Sequence, residues 1–281
     1  MRKKIEKLLE KLGYKYIRYG MPYHFSCWKH KEKINFLKSI LPDELSIKIL
    51  DCVMKAHKTR NYKNIQSVYD NRFEKEMTYL SGETSRFDSS QYFPDDLINL
   101  SQDEVFVDGG GFIGDTTLNF IEKTQNKFKK VHIFEPMQEN FEKISHNINT
   151  GNTDPCKINV YNAGLSSSEK EVFFDQTGSS AAKIDKKGNV PAKLVSLDKY
   201  VPEEERKEIT YIKLDVEGAE LDALEGMRET ISKYKPKLAI CIYHKPTDLW
   251  KIPLFIHKLN PSYKLYIRQH HPVHETVCYA L

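Results

Sequence analysis

The chain has 281 residues, 40% hydrophobic and 29% charged, with a formal net charge of +4. Those proportions describe a globular protein and exclude a disordered or low-complexity chain. The mild positive charge makes no demand for a nucleic acid partner, and no apolar run approaches the roughly 18 residues of a membrane span.

Five cysteines, at 27, 52, 156, 241 and 278, form no Cys-x-x-Cys pair, so neither a disulfide framework nor a zinc cluster is signalled. Cys241 and Cys278 lie in apolar runs and are expected to be buried. No leader pattern opens the chain, which predicts a cytoplasmic protein without membrane insertion.

Residues 1–100 read as a mainly helical extension. Ile5, Leu8, Leu9 and Leu12 keep helical spacing up to Gly13, and Glu6 and Glu10 interrupt the basic residues of that stretch, which predicts a solvated face. Leu41-Pro42-Asp43-Glu44-Leu45 marks a second helix start, with Leu45, Ile49 and Val53 as its apolar face. Residues 81–94 are polar and read as loop. The extension is expected to cover the acceptor side or to pair subunits in a homodimer.

Residues 101–281 read as one α/β domain. Strands are expected at 105–108, 131–135, 158–162, 211–215, 238–243, 264–268 and 276–280, with helices near 115–125, 137–149, 219–232 and 248–258. Runs at 169–174 and 192–195 read as an antiparallel insertion after the third strand. Only 269–275 separates the last two strands, too few residues for a crossover, so they should pair antiparallel. A mostly parallel seven-stranded sheet with a reversed last strand is the class I methyltransferase layout, a Rossmann-like fold.

The chemistry concentrates at Val105 to Asp115. A short apolar strand ends in Asp108, a glycine-rich turn follows, and a helix starts near Asp115. Gly109, Gly111 and Gly114 spell Gly-x-Gly-x-x-Gly, the dinucleotide fingerprint, and Glu135 lies about 20 residues on, where a ribose-binding acid belongs. Two details favour S-adenosylmethionine (SAM) over NAD. A carboxylate at Asp108 would attract the ammonium of a methionine moiety and repel a pyrophosphate. Glu135-Pro136 ends the second strand with an acid able to take both ribose hydroxyls. An NAD-dependent sugar oxidoreductase would carry Tyr-x-x-x-Lys, which neither Tyr234-Lys235 nor Tyr243-His244-Lys245 supplies.

Five motifs then occur in order: Phe106 to Thr116, Phe134-Glu135-Pro136, Asn162 to Ser166, Val195-Ser196-Leu197-Asp198, and Ile212-Lys213-Leu214-Asp215-Val216-Glu217-Gly218-Ala219-Glu220. This set resembles the FkbM-type methyltransferases over about residues 90–281. The tail from Cys241 to His270 is similar to a bacterial subset associated with capsular and other cell-surface polysaccharide, which implies a sugar or sugar-nucleotide hydroxyl as acceptor. One departure is visible: the family usually has Gly-Ala-Asn or Gly-Ala-Tyr after the strand acid, and this chain has Gly109-Gly110-Gly111.

The resemblance implies cofactor contacts at Asp108, Gly109, Gly111, Gly114, Asp115, Thr116, Glu135, Met137, Asn162, Ala163 and Asp215. Outside the secure match, Tyr92 with Gln91 and Phe93 is expected to close over the cofactor, and Gly178-Ser179-Ser180 to form a loop on the acceptor side. A sugar hydroxyl needs a base or a metal to become a nucleophile.

Candidates sit at strand ends, where open α/β sheets bind ligands. Asp215 or His244 would take the proton directly; alternatively Asp215, Glu217 and His244 would gather Mn²⁺ or Mg²⁺. Lys213 alternates with Asp215 and is expected to be its ion-pair partner, with Glu220 a first-turn charge complementing the helix dipole. His270-His271-Pro272-Val273-His274 would line the acceptor pocket or form a surface loop. Other methyl acceptors, nitrogen among them, stay open.

Overall fold

The computed structural model describes residues 30–59, 61–69, 74–78, 84–148, 154–174 and 188–281. The expected helix around Ile5 to Leu12 and the Gly178-Ser179-Ser180 loop lie outside them. The chain forms two compact units: residues 1–73 with 242–281, and residues 74–241.

The first unit opens with α1 (Lys31–Ile40), which buries Ile34 and Leu37. Helix α2 (Glu44–Thr59) begins at the expected place, because the Asp43 carboxylate accepts the Ser46 backbone N–H at 2.7 Å and caps the helix. Its buried stripe is Ser46, Ile49, Leu50, Val53 and Ala56. Leu45, expected on that face, is 42% exposed; it lies off the 3.6-residue stripe that Ser46 joins. A short α3 (Lys63–Gln66) follows.

The second unit opens with an antiparallel hairpin, β1 (Glu74–Thr78) and β2 (Thr84–Asp88). The expected loop over 81–94 therefore contains a strand. Its sequence, Thr-Ser-Arg-Phe-Asp, has no two-residue apolar alternation to reveal it.

Next come β3 (Val105–Gly109), α4 (Asp115–Lys123), β4 (Lys130–Phe134), α5 (Gln138–Ile148) and β5 (Ile158–Tyr161). The insertion supplies β6 (Gly164–Leu165), β7 (Lys170–Phe174) and β8 (Val190–Val195). β7 pairs antiparallel with β8 as expected, and β6 adds a short parallel neighbour. Short helices α6 (Leu197–Tyr200) and α7 (Glu203–Arg206) lead to β9 (Tyr211–Leu214).

The helix expected over 219–232 is broken into α8 (Glu220–Glu225) and α9 (Arg228–Tyr234), after which β10 (Lys237–Cys241) ends the unit. The break falls at Gly226-Met227. A Cβ on Gly226 would lie 1.8 Å from the Ser166 carbonyl oxygen, so the insertion's backbone passes directly against the helix. Asp198 restarts it by accepting the backbone N–H of Glu229 (2.8 Å) and Thr230 (3.0 Å).

Five strands of this unit run parallel in the order β10-β9-β3-β4-β5. The central strands are near-continuous apolar runs because helices cover both faces. A ring cluster of Phe93, Phe106, Phe120 and Tyr211, each at most 1% exposed, packs beneath the strand ends. Burying one such phenylalanine contributes about 1.5–3 kcal/mol.

The first unit resumes with α10 (Asp248–Leu259) and the antiparallel pair β11 (Leu265–Gln269) and β12 (Thr276–Ala280). All seven expected strands are thus present, the last running against its predecessor. α2 packs on β11: the Ser46 hydroxyl accepts the Ile267 backbone N–H at 2.9 Å, and Arg268 pairs with Asp43 at 2.8 Å. Cys241 and Cys278 are buried as expected. Among the described residues no helix is long and apolar enough to cross a membrane.

Candidate functional site

The glycine turn joins the end of β3 to the start of α4. The backbone N–H groups of Gly110 and Gly111 donate to the Phe134 carbonyl at 3.0 and 3.1 Å, which ties the turn to β4. Gly110 has φ +81°, and a Cβ there would lie 1.8 Å from the Asp215 carbonyl oxygen. Gly114, with φ +88°, is the left-handed residue that starts α4. Gly109 closes β3 and Gly111 sits within the turn. Asp115 folds onto the helix start, its Oδ1 accepting the Thr116 N–H at 2.9 Å. Burial pushes the Asp115 carboxyl up to about 6; Lys213 pulls it down, while Asp108 and Asp215 add to the rise.

Asp108 is wholly buried and engaged by the protein. Its Oδ1 lies 2.9 Å from the Lys213 ammonium and its Oδ2 accepts the Thr117 hydroxyl at 2.8 Å. The carboxylate expected to meet a ligand ammonium thus meets that of Lys213. The partner of Lys213 is correspondingly Asp108 on the adjoining strand; Asp215 acts on it only at longer range. The register explains this, because Asp108 stands directly opposite Lys213 in the β3/β9 pair. The same ammonium donates to the carbonyls of Gly110 (2.7 Å) and Gly109 (3.3 Å), so its three protons meet three acceptors. Burial lowers the Lys213 pKa, but Asp108 and Asp215 outweigh it and hold the value above that of an ordinary lysine.

Glu135 follows β4 and is 5% exposed. Its Oε2 accepts the Phe112 N–H and its Oε1 the Met137 N–H, both at 2.9 Å. Burial pushes its carboxyl up to about 7 against those two hydrogen bonds. Met137 packs against the Phe174 and Ala192 cluster of the insertion. Asn162 is exposed, its amide meeting that of Gln138, and Ala163 beside it is buried.

Asp215 leaves β9 with its N–H on the Gly109 carbonyl at 3.0 Å. The turn beyond it is strained: Glu217 has φ +52° and Gly218 φ +94°. A side chain in the left-handed region costs of order 1 kcal/mol and persists where surrounding contacts impose it. Glu220 imposes it here. It opens α8 as a first-turn charge, as expected, yet it is wholly buried, and its Oε1 accepts the N–H groups of Val216 (3.1 Å) and Gly218 (3.2 Å). That role was not foreseen, although the Asp-x-Glu-Gly-x-Glu spacing carries the signal. Tyr92 donates its hydroxyl to Asp215 Oδ2 at 2.8 Å, a contact across 123 positions that no local pattern reveals.

The central unit thus brings together Tyr92, Asp108, Asp115, Thr116, Glu135, Lys213, Asp215 and Glu217 around the ends of β3, β4 and β9. The FkbM methyltransferase domain matches residues 108–270. This chain belongs to the FkbM methyltransferase family.

Among relatives of this FkbM methyltransferase, the hexuronic acid methyltransferase AglP of Haloferax volcanii is 29% identical over 138 residues, 48% of this chain and 54% of that protein. The chain therefore spans about half the length of the curated relative it matches. A crystal structure of the methyltransferase FkbM from Methylobacillus flagellatus KT superposes with a TM-score of 0.76 at 23% identity, covering 100% of this chain and 70% of that one. The fold is accordingly the methyltransferase α/β fold, with a mostly parallel sheet flanked by helices.

His244 belongs to the other compact unit, where its ring lies 4.1 Å from that of Tyr243. The histidine-rich segment of this FkbM chain is internally bonded. His270 Nε2 lies 2.8 Å from the Tyr279 hydroxyl, and His271 Nδ1 accepts the N–H groups of Val273 (3.2 Å) and His274 (3.1 Å). His271 and His274 stack with ring centroids 5.7 Å apart.

Proposed function

We propose that this chain is a SAM-dependent O-methyltransferase that methylates a hydroxyl of a sugar or sugar nucleotide, for capsular or other cell-surface polysaccharide. The observation that carries the reading is the pairing of the Gly110–Gly114 turn with Glu135. The turn brings bare backbone and a helix start to the strand ends. Glu135 offers there a buried carboxylate whose protein partners are chiefly backbone N–H groups. Burial has made it reluctant to ionise, so two hydroxyl donors from a ribose would suit it. The sugar acceptor is supported by the AglP relative, a hexuronic acid methyltransferase.

When bound, SAM supplies an electrophilic methyl group. Every other task falls to this chain. Asp108 and Lys213 lock the ends of β3 and β9 together, so the floor of the site does not move. Gly110 leaves room for the Asp215 carbonyl to approach the turn, and Glu135 would hold the ribose. Asp215 would accept the proton of the acceptor hydroxyl, whose oxygen the site would hold in line with the methyl group that SAM supplies.

The test is a thermal shift with S-adenosylhomocysteine and with NAD, followed by methyl transfer from labelled SAM to a panel of uronic acids and nucleotide sugars. We expect stabilisation by S-adenosylhomocysteine alone and transfer that persists in EDTA but falls to a low residual rate in Asp215→Asn. Transfer that requires Mn²⁺ and vanishes in His244→Ala would replace the direct base with a metal. Stabilisation by NAD instead would overturn the reading.

A further inference from the structure

The segment Asp88 to Phe93, which leads out of β2, is buried throughout although it is largely polar. Its six residues are each at most 8% exposed, although four of them are Asp, Ser, Ser and Gln. Asp88 Oδ1 accepts both the N–H and the hydroxyl of Ser90, at 2.8 and 2.7 Å, which sets a tight turn. Asn119 of α4 donates to the Ser89 carbonyl at 2.9 Å. The Tyr211 hydroxyl donates to the Tyr92 carbonyl, and Phe93 is anchored in the ring cluster.

This strap delivers one functional group, the Tyr92 hydroxyl, and its neighbours favour one direction for its proton. Gln91 Nε2 lies 3.0 Å from the Tyr92 oxygen and can only donate. The hydroxyl proton therefore points to Asp215 Oδ2 at 2.8 Å. Cys241 Sγ lies 3.6 Å from the same oxygen, and the Lys213 ammonium stands 5.1 Å from the ring centroid. The ring thus carries a cation over its face, and its tip meets Gln91, Asp215 and Cys241.

We propose that Tyr92 is the positioning residue for Asp215: its hydroxyl fixes the orientation of the carboxylate that receives the acceptor proton. The inference rests on the methyltransferase reading above. A carboxylate at the end of a strand has a broad terminal torsion, and an error of about 1 Å in a reacting group lowers rates by up to about 100-fold. One hydroxyl, held by a strap fixed at Ser89, Tyr92 and Phe93, removes that freedom.

The test is Tyr92→Phe in the full chain, alone and combined with Asp215→Asn. We expect kcat to fall about 10- to 100-fold, with the KM for SAM and the Kd for S-adenosylhomocysteine changed less than about threefold. On the Asp215→Asn background Tyr92→Phe should cost nothing further. The same four proteins, unfolded in urea, should show a coupling of about fivefold or more in the unfolding equilibrium; this readout needs no catalysis.

An unchanged kcat in Tyr92→Phe, losses that multiply in the double variant, or coupling below about twofold would each overturn the proposal. Wild-type protein that couples Tyr92 to Asp215 in urea yet transfers no methyl group would refute the methyltransferase reading, and the positioning role would fall with it.

Discussion

Gly110→Ala tests the floor of the site. The Gly-Ala-Asn motif to which this turn was compared would put alanine here, so the substitution looks conservative. In this chain the residue has φ +81°, and its Cβ would lie 1.8 Å from the Asp215 carbonyl oxygen. Forcing an L-residue into a left-handed conformation costs about 1–2 kcal/mol. The oxygen must also retreat by about 1 Å or more to reach ordinary contact, which strains the Asp215 N–H bond to Gly109, now 3.0 Å, for about 1 kcal/mol more. The expected loss is about 2–3 kcal/mol, measured by urea unfolding followed by circular dichroism. Because the displaced group carries Asp215, methyl transfer should fall by more than the stability loss explains when assayed well below the unfolding midpoint. Stability within about 0.5 kcal/mol of wild type with unchanged turnover would refute this account of the turn.

Three further outcomes follow from the buried charges. Lys213→Met should destabilise by about 3–5 kcal/mol in the same assay, because it leaves Asp108 buried without a cation; adding Asp108→Asn should recover part of the loss, whereas independent sites would add. Glu135 has a folded-state carboxyl raised from 4.5 to about 7, so the folded chain holds a proton that the unfolded chain gives up. Stability should therefore fall as pH rises from about 4.5 to 7, with Asp115, raised to about 6, sharing the lower part of that window. Hydroxyl donors favour the ionised form, so S-adenosylhomocysteine should bind roughly tenfold or more tightly at pH 7.5 than at 5.5. Calorimetry across that range checks it, and Glu135→Gln should flatten the dependence; a dependence that survives the substitution would assign it to another group.

Much of the framework was legible because the forces that make parallel strands leave a simple trace. Val105-Phe106-Val107 and Tyr211-Ile212 are continuous apolar runs, and all are at most 2% exposed. Asp108, Glu135 and Asp215 stood out as acids closing such runs. What escaped the sequence depends on contacts between distant segments. Gly226 at the helix break is held to glycine because the Ser166 carbonyl, 60 positions away in the chain, fills the place of a Cβ. Lys213 was paired with the wrong carboxylate because alternation along one strand says nothing of register with the next. The hairpin of β1 and β2 is too polar for a pattern to show, and the bond from Tyr92 to Asp215 joins segments that only the fold makes neighbours.

The contact of α2 with β11 has a bearing on how the protein behaves in a crowded solution. A strand pairs with any chain that offers unsatisfied backbone groups along its open side. Here the Ser46 hydroxyl occupies the Ile267 N–H, and the Arg268–Asp43 pair sets charge beside it. A single buried serine thereby makes β11 a poor template for a second copy. A chain stripped of residues 30–59 would present that side bare and would be drawn toward strand-to-strand association, so this helix is as much a guard of solubility as a piece of the fold.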